Sequence, residues 1–376
     1  MTTSNEQLDV LIAGGGVAGL EAAFALRELA GERVAVTVLA PTDDFVYRPM
    51  AVGEPFTSGW ASHYPLAELI AAAGAGHVRD SLVEVDPQAR TVRTNGGAEL
   101  SYGALLVCPG AAMVASFEHA TNFDDARSDE LLHGLVQDVE GGYVKHLAIV
   151  VPAPMPWPFP AYELALMASE RAWDMGVEMA ITVLTPEASP LIAFGAPASA
   201  AVAALLAERR IEVVTAAFCE IPESQTIVVH PGARTLTAER IIALPSLRGP
   251  GIAGLPQDGN GFIPIDEYAR VRGADGVWAA GDATDYPVKY GGVAAQLADT
   301  AAASIAAGAG ADCQPEPFDP ELEGVLLTGG TPRSIRGRPS ATDPGVSQLS
   351  ELERGATPAK ISARYLAPHL TEPRAG

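Results

Sequence analysis

Short runs of consecutive apolar residues alternate along this chain with stretches in which apolar and small residues recur at helical spacing. Leu8–Ala13, Val34–Leu39, Leu147–Val151, Ala180–Leu184 and Val277–Ala280 read as buried strands. They are too short for helices and show no polar alternation. Val17–Leu29, a segment beginning near Ala161, and the small-residue stretch Gly292–Ala306 read as helices. Such alternation predicts a parallel α/β architecture. The strand–helix–strand pattern starts twice, about 140 residues apart, so two related nucleotide-type units are expected. The final ~60 residues, rich in Gly, Pro, Ser and Thr, predict an irregular cap and not a third full domain.

Composition narrows the class. The chain has 376 residues, 48% hydrophobic and 19% charged, which excludes a disordered or collagen-like protein. Its formal net charge of −22 repels phosphate backbones and anionic lipid heads, so no nucleic-acid partner is expected. One stretch departs from that balance. From Thr331 to Gly376, seven basic residues (Arg333, Arg336, Arg338, Arg354, Lys360, Arg364, Arg374) face four acids (Asp343, Glu351, Glu353, Glu372), a local charge of +3. The three cysteines, Cys108, Cys219 and Cys313, lie far apart, which argues against a local redox disulfide or a zinc knuckle. The N-terminal MTTSNEQLDV has no basic or apolar signal region, and the Ala-rich stretch Tyr290–Ala311 is broken by Gln296, Asp299 and glycines. A cytoplasmic protein without a stable membrane anchor is the expectation.

The strongest chemical signal is Gly14-Gly15-Gly16-Val17-Ala18-Gly19, a G-x-G-x-x-G between a strand and a helix. Gly14 permits the tight turn, Gly16 lets backbone approach a pyrophosphate, and Gly19 lets helix and strand pack closely. Free N–H groups at the helix start, including Val17 and Ala18, then face the phosphates. One element departs from the pattern. The second strand ends Val38-Leu39-Ala40, without the acid that holds adenosine ribose hydroxyls, leaving Asp43 or Asp44 as substitutes. A missing charged hydrogen bond of ~1.5–3 kcal/mol weakens such a site without abolishing it.

Trp278-Ala279-Ala280-Gly281-Asp282, a strand ending in Gly-Asp ahead of a helix, resembles the second flavin motif of the pyridine nucleotide-disulfide oxidoreductase superfamily. That resemblance implies two Rossmann-like (FAD/NAD(P)-binding, three-layer ββα) domains with a short C-terminal cap, and FAD as cofactor. It assigns Gly281 and Asp282 to the ribityl chain, and Gly292 and Val293 to the flavin pyrimidine edge. Further matches are Tyr47-Arg48-Pro49 beneath the flavin, Leu105-Leu106-Val107-Cys108-Pro109-Gly110 at the strand-to-Gly crossing, and Gly261–Asp266 before the Gly-Asp strand. The implied division is residues 1–112 and 232–312 for the FAD domain, 113–231 for a degenerate NAD(P)-type domain, and 313–376 for the cap.

In superfamily members that use NAD(P)H the second unit has its own glycine loop. Here Leu147–Val151 leads into Pro152-Ala153-Pro154-Met155-Pro156-Trp157-Pro158-Phe159-Pro160, with no glycine. Proline offers no N–H and its ring blocks close backbone approach. Losing two or three donors at ~1.5–3 kcal/mol each weakens a dinucleotide by roughly 10²–10⁶-fold. The pattern is most similar to the sulfide:quinone oxidoreductase and flavocytochrome sulfide dehydrogenase branch, whose P-A-Y-E segment matches Pro160-Ala161-Tyr162-Glu163. That branch carries a sulfide-oxidising cysteine three residues before the motif; Trp157 stands there instead.

The catalytic candidates are Glu163, at a helix start near the implied flavin, and Lys289, preceding Tyr290-Gly291-Gly292. The histidines show no metal-ligand spacing and there is no G-x-S-x-G, so neither metal nor serine chemistry is expected. The leading reading is an FAD-dependent oxidoreductase passing electrons from a small-molecule donor to a quinone or protein acceptor. An NAD(P)H-dependent flavin dehydrogenase with atypical nucleotide binding, and a non-catalytic flavoprotein using its basic tail as a protein-binding module, are the alternatives. A homodimer is left open.

Overall fold

Three helices carry the ends that matter for function: α1 (Val17–Ala30), α2 (Phe159–Asp174) and α3 (Gly291–Gly308). They belong to a computed structural model describing residues 7–338, 346–352 and 360–370. The first sheet is five-stranded and fully parallel, in the order Val277–Ala279, Ala104–Val107, Leu8–Ala13, Val34–Leu39, Gly76–Val78. Its central strands are apolar throughout because both faces are covered, and Ile12, Leu105, Leu106 and Val38 have no exposed surface. On one face α1 packs along α3. Alanines line both helices at the contact (Ala22, Ala23, Ala25; Ala295, Ala298, Ala301, Ala302), so the two backbones approach closely.

The second sheet repeats the architecture, in the order Thr121–Asn122, Arg240–Ala243, His146–Val150, Ala180–Leu184, Ile211–Val214, again all parallel. Here the expected division at 231/232 needs correction. Arg240–Ala243 pairs with the middle of this sheet, so the second unit continues past that point. The two crossings between units are an antiparallel pair, Ala112–Val114 against Ser246–Arg248. A four-residue strand opening on an exposed arginine gave no run long enough to notice in the sequence.

The cap is more regular than its composition predicts. Leu322–Leu326, Arg333–Gly337 and Gln348–Glu351 form a three-stranded antiparallel sheet. Its basic residues are internally paired: Arg333 with Glu351, Arg336 with Glu323 at 2.7 Å, and Arg338 with Asp319 at 3.0 Å. They neutralise neighbouring acids and leave no bare basic patch among them. Asp343, Glu353, Arg354, Glu372 and Arg374, and the N-terminal MTTSNE, lie outside the described residues. Among the described residues no helix is long and apolar enough to cross a membrane.

Candidate flavin and electron-transfer site

The turn from Leu8–Ala13 into α1 is built by absent side chains. Gly14 has φ +138°, and a Cβ there would fall 2.1 Å from the Cys108 carbonyl oxygen; one on Gly19 would fall 1.9 Å from the Gly14 oxygen. Both positions therefore require glycine. Gly16, the N-cap of α1, differs: its missing side chain opens onto free space within 4 Å. No side chain caps this helix and its first turn carries no acid, so the N–H groups at Val17 and Ala18 remain available to an anion.

Gly281 (φ +72°) sits between Ala18 of α1 and Ala294 of α3, and so carries Asp282 to the point where the two helix N-termini converge. Burial pushes the Asp282 carboxyl up to about 6, with Lys289 opposing. Lys289 is itself buried. Its ammonium donates to the Thr284 carbonyl and lies 4.3 Å from the Phe262 ring centroid. Desolvation draws its pKa down to about 8 against the pull of Asp282, Asp285 and Asp258.

These groups face a cavity of about 310 Å³. Val17, Arg48, Pro49, Glu163, Asp282 and Lys289 line it. Gly110 (φ +82°) and Gly292 stand one residue behind the lining residues Ala111 and Gly291, and Val293 is buried beyond them. Its wall is also aromatic. Trp157 stacks on Tyr290 with centroids 4.3 Å apart and planes 10° apart, and on Phe159 at 5.1 Å and 4°. A Cβ on Gly292 would strike the Tyr290 ring, so glycine there leaves room for Tyr290, whose hydroxyl donates to the carbonyls of Glu323 and Lys360.

The same wall holds a buried ion pair. Lys360 Nζ donates to Glu163 Oε1 at 2.6 Å, and the Leu327 N–H donates to the same oxygen at 2.9 Å. Burial pushes Glu163 up and Lys360 down, while each charge pulls the other back toward ionisation. Glu163 is thus where the sequence places it, but its partner escaped notice. Lys360 belongs to the basic stretch from Thr331 to Gly376, and its only local signal is rarity, as one of three lysines in the chain. Asp43, a candidate for the missing ribose acid, is engaged at the surface by Arg79 at 2.6 Å, and Asp44 is exposed.

Tyr162 is fully buried and donates to Glu187 Oε2 at 2.5 Å, and the Thr185 hydroxyl donates to the same oxygen at 3.0 Å. Glu187 follows the strand Ala180–Leu184, where a dinucleotide fold carries its ribose-binding acid. Here that carboxylate is occupied. The thiols are also elsewhere: Cys108 is buried facing the Gly14 carbonyl with its pKa pushed up to about 12, Cys219 lies in the excursion strand Phe218–Glu223, and Cys313 donates to the Ala303 carbonyl. None lines the cavity among the described residues.

Two parallel five-stranded sheets, a glycine turn at the first and a cavity lined from both units define a two-unit α/β fold of the dinucleotide-binding kind. The family model for the pyridine nucleotide-disulphide oxidoreductases matches residues 159–308 of the chain. The chain is 24% identical over 267 residues to the sulfide-quinone reductase of Aquifex aeolicus (strain VF5), covering 66% of this chain and 61% of that protein. It is 25% identical over 296 residues to the NADH dehydrogenase-like protein Rv1812c of Mycobacterium tuberculosis (strain ATCC 25618 / H37Rv), covering 73% and 72%. In fold it resembles the sulfide:quinone oxidoreductase from the hyperthermophilic Aquifex aeolicus, with a TM-score of 0.77 at 18% identity over 92% of this chain and 86% of that one. The ferredoxin reductase for the CYP199A2 system from Rhodopseudomonas palustris gives 0.65 at 19%, over 89% and 83%. The cofactor of this class is FAD. The residues fit it: a Cβ-free approach at Gly16 meets uncapped helix N–H groups, and Asp282 stands at the convergence of the two helix starts.

Proposed function

We propose that this protein is an FAD-dependent oxidoreductase that takes electrons from a small donor and reduces a quinone in the cavity beside Trp157. The Glu163–Lys360 pair carries the reading: a buried ion pair in the same cavity as the residues assigned to the flavin. FAD supplies a two-electron relay between donor and acceptor. The chain's own residues do the rest. The N–H groups at the start of α1 hold the pyrophosphate, and Asp282 accepts from ribityl hydroxyls. Lys289 sets a positive charge in the cavity wall, where it favours negative charge developing on a reduced ring.

A quinone needs an apolar slot and two protons as its carbonyl oxygens become hydroxyls. Trp157, Met155, Phe123 and Met113 offer the slot, and Lys360 holds a proton at Nζ in the same wall. Burial lowers the cost of releasing that proton, and Glu163 keeps the ammonium populated until it is used. The Tyr162–Glu187 bond and the proline loop support a donor other than a nicotinamide, and the placement of the thiols supports a route without a persulfide.

Anaerobic stopped-flow mixing tests this. The holoprotein is expected to show no rapid flavin bleaching with NADH, NADPH or sulfide. After photoreduction, a short-chain quinone should reoxidise it at least tenfold faster than buffer alone. Rapid bleaching by a nicotinamide, or reoxidation no faster with quinone, defeats the reading.

A further inference from the structure

The last described segment, residues 360–370, runs as a strap from the cavity wall across α1 and α3. Lys360 meets Glu163 at its start. The Ile361 N–H donates to the Tyr47 hydroxyl at 3.1 Å, and the Ile361 side chain covers Gly291, where a Cβ would fall 2.3 Å from Ile361 Cδ1. Further along, Tyr365 and Leu366 donate their N–H groups to the two oxygens of Glu21, at 2.8 and 2.6 Å. The His369 ring then stacks on Phe24 at 4.0 Å, and the Tyr64 hydroxyl donates to the Leu370 carbonyl at 2.8 Å.

Glu21 lies in the middle of α1 with no exposed surface, and Asp299 of α3 meets it across the helix crossing. The other charged and titratable groups around the pair are Arg27 and Glu28 of α1 and Arg364, Tyr365 and His369 of the strap. The Arg364 guanidinium alone opposes the rise of Asp299, from an exposed position. Two carboxyl groups in buried contact cannot both ionise freely. Burial and the adjacent Glu21 charge push the Asp299 carboxyl well above its ordinary range, which favours a protonated Asp299 beside Glu21. Glu21 then remains an acceptor for both strap amides.

We propose that Glu21 and Asp299 are positioning residues: Glu21, with Asp299 packed beside it, grips the two strap amides, and the strap holds Lys360 against Glu163 and Ile361 over the start of α3. The proposal is independent of which donor and acceptor the enzyme uses. Its pH sign follows from Asp299. Releasing the strap admits water and returns Asp299 toward its ordinary range near 3.8, so release sheds a proton. Opening therefore becomes easier as pH rises toward about 8, and levels off above it.

The chain's three lysines make a direct test. The FAD-loaded protein is acetylated with a sulfo-N-hydroxysuccinimide ester, and each site is quantified by mass spectrometry. Lys145, which is exposed, serves as reference, and Lys289, which is buried and held elsewhere, reports general loosening. At pH 7, Glu21→Gln should raise the Lys360/Lys145 ratio at least tenfold and leave Lys289 unchanged. Between pH 6.5 and 8.5 the wild-type ratio should rise at least fivefold more than that of Asp299→Asn, whose amide stays neutral at every pH. An unchanged ratio in Glu21→Gln, a parallel rise at Lys289, or equal pH responses in wild type and Asp299→Asn overturns the latch. The Asp299→Asn comparison decides the matter if Glu21→Gln does not fold.

Discussion

Lys360 places its ammonium 2.6 Å from a carboxylate oxygen of Glu163, a residue 197 positions away in sequence, and the two side chains are only 6% and 2% exposed. A pair so enclosed is costly to break from one side. Glu163→Gln leaves an uncompensated buried charge, a loss of about 3–5 kcal/mol. The expected fall in Tm is roughly 4–6 °C for a protein of this size. Glu163→Gln with Lys360→Met removes the stranded charge and should recover at least half of that loss. Thermal melts of the four proteins in the double-mutant cycle measure the coupling; additive effects would show that the pair contributes no mutual stabilisation.

The two glycines at the head of α1 should behave differently when replaced. A Cβ at position 19 would collide with the Gly14 carbonyl, whereas one at position 16 meets nothing of the protein. Gly19→Ala is expected to lose folded protein or several kcal/mol of stability through overpacking, about 1–3 or more. Gly16→Ala should fold normally yet purify with FAD occupancy reduced at least tenfold. Near-UV circular dichroism reports the fold, and the 450 nm to 280 nm absorbance ratio reports the cofactor. A fully yellow Gly16→Ala protein would contradict the placement of the pyrophosphate.

Trp157 and Tyr290 form the face against which a planar acceptor lies in the proposed reaction. Removing one ring from such a stack forfeits about 0.5–1.5 kcal/mol of contact. Trp157→Ala should raise the KM for a short-chain quinone roughly three- to tenfold, with kcat changed less, and Trp157→Phe should restore most of the affinity. Steady-state kinetics on the two variants distinguish an acceptor wall from a purely structural ring, which would leave KM unmoved.

Asp299 makes folding itself sensitive to pH. Its folded-state pKa is raised to about 8 from 3.8, so its stabilisation is complete below pH 4 and is lost as pH rises to about 8. Wild type should therefore lose about 1–3 kcal/mol relative to Asp299→Asn between pH 5 and pH 8. Chemical denaturation of both holoproteins across that range provides the measurement. Parallel stability curves would mean that Asp299 is ionised throughout.

Much of the architecture was legible because its signals are local. Leu8–Ala13, Val34–Leu39 and Ala180–Leu184 are read from their apolar runs with the observed ends, and α3 differs from its expected span by one residue at the start and two at the end. Gly14 and Gly19 were legible for the same reason: the tight turn and the close approach of backbone there exclude a side chain. The strand Arg240–Ala243 and the cap sheet were not. Their short strands are specified by pairing partners distant in sequence and by cross-strand ion pairs, such as Arg336 with Glu323.

By itself, the sequence determined the α/β class, the glycine turn after Leu8–Ala13 and the absence of glycine from Pro152 to Pro160. Each of these is a property of a few consecutive residues. Only the tertiary structure decided that Lys360 belongs to the site and not to a basic tail, that Tyr162 occupies Glu187, and that Glu21 and Asp299 meet beneath the strap. Those contacts join residues 25 to 345 positions apart, and burial is what gives them their energy. Charge and hydrogen-bonding capacity are written in the chain; their removal from water is a consequence of the fold.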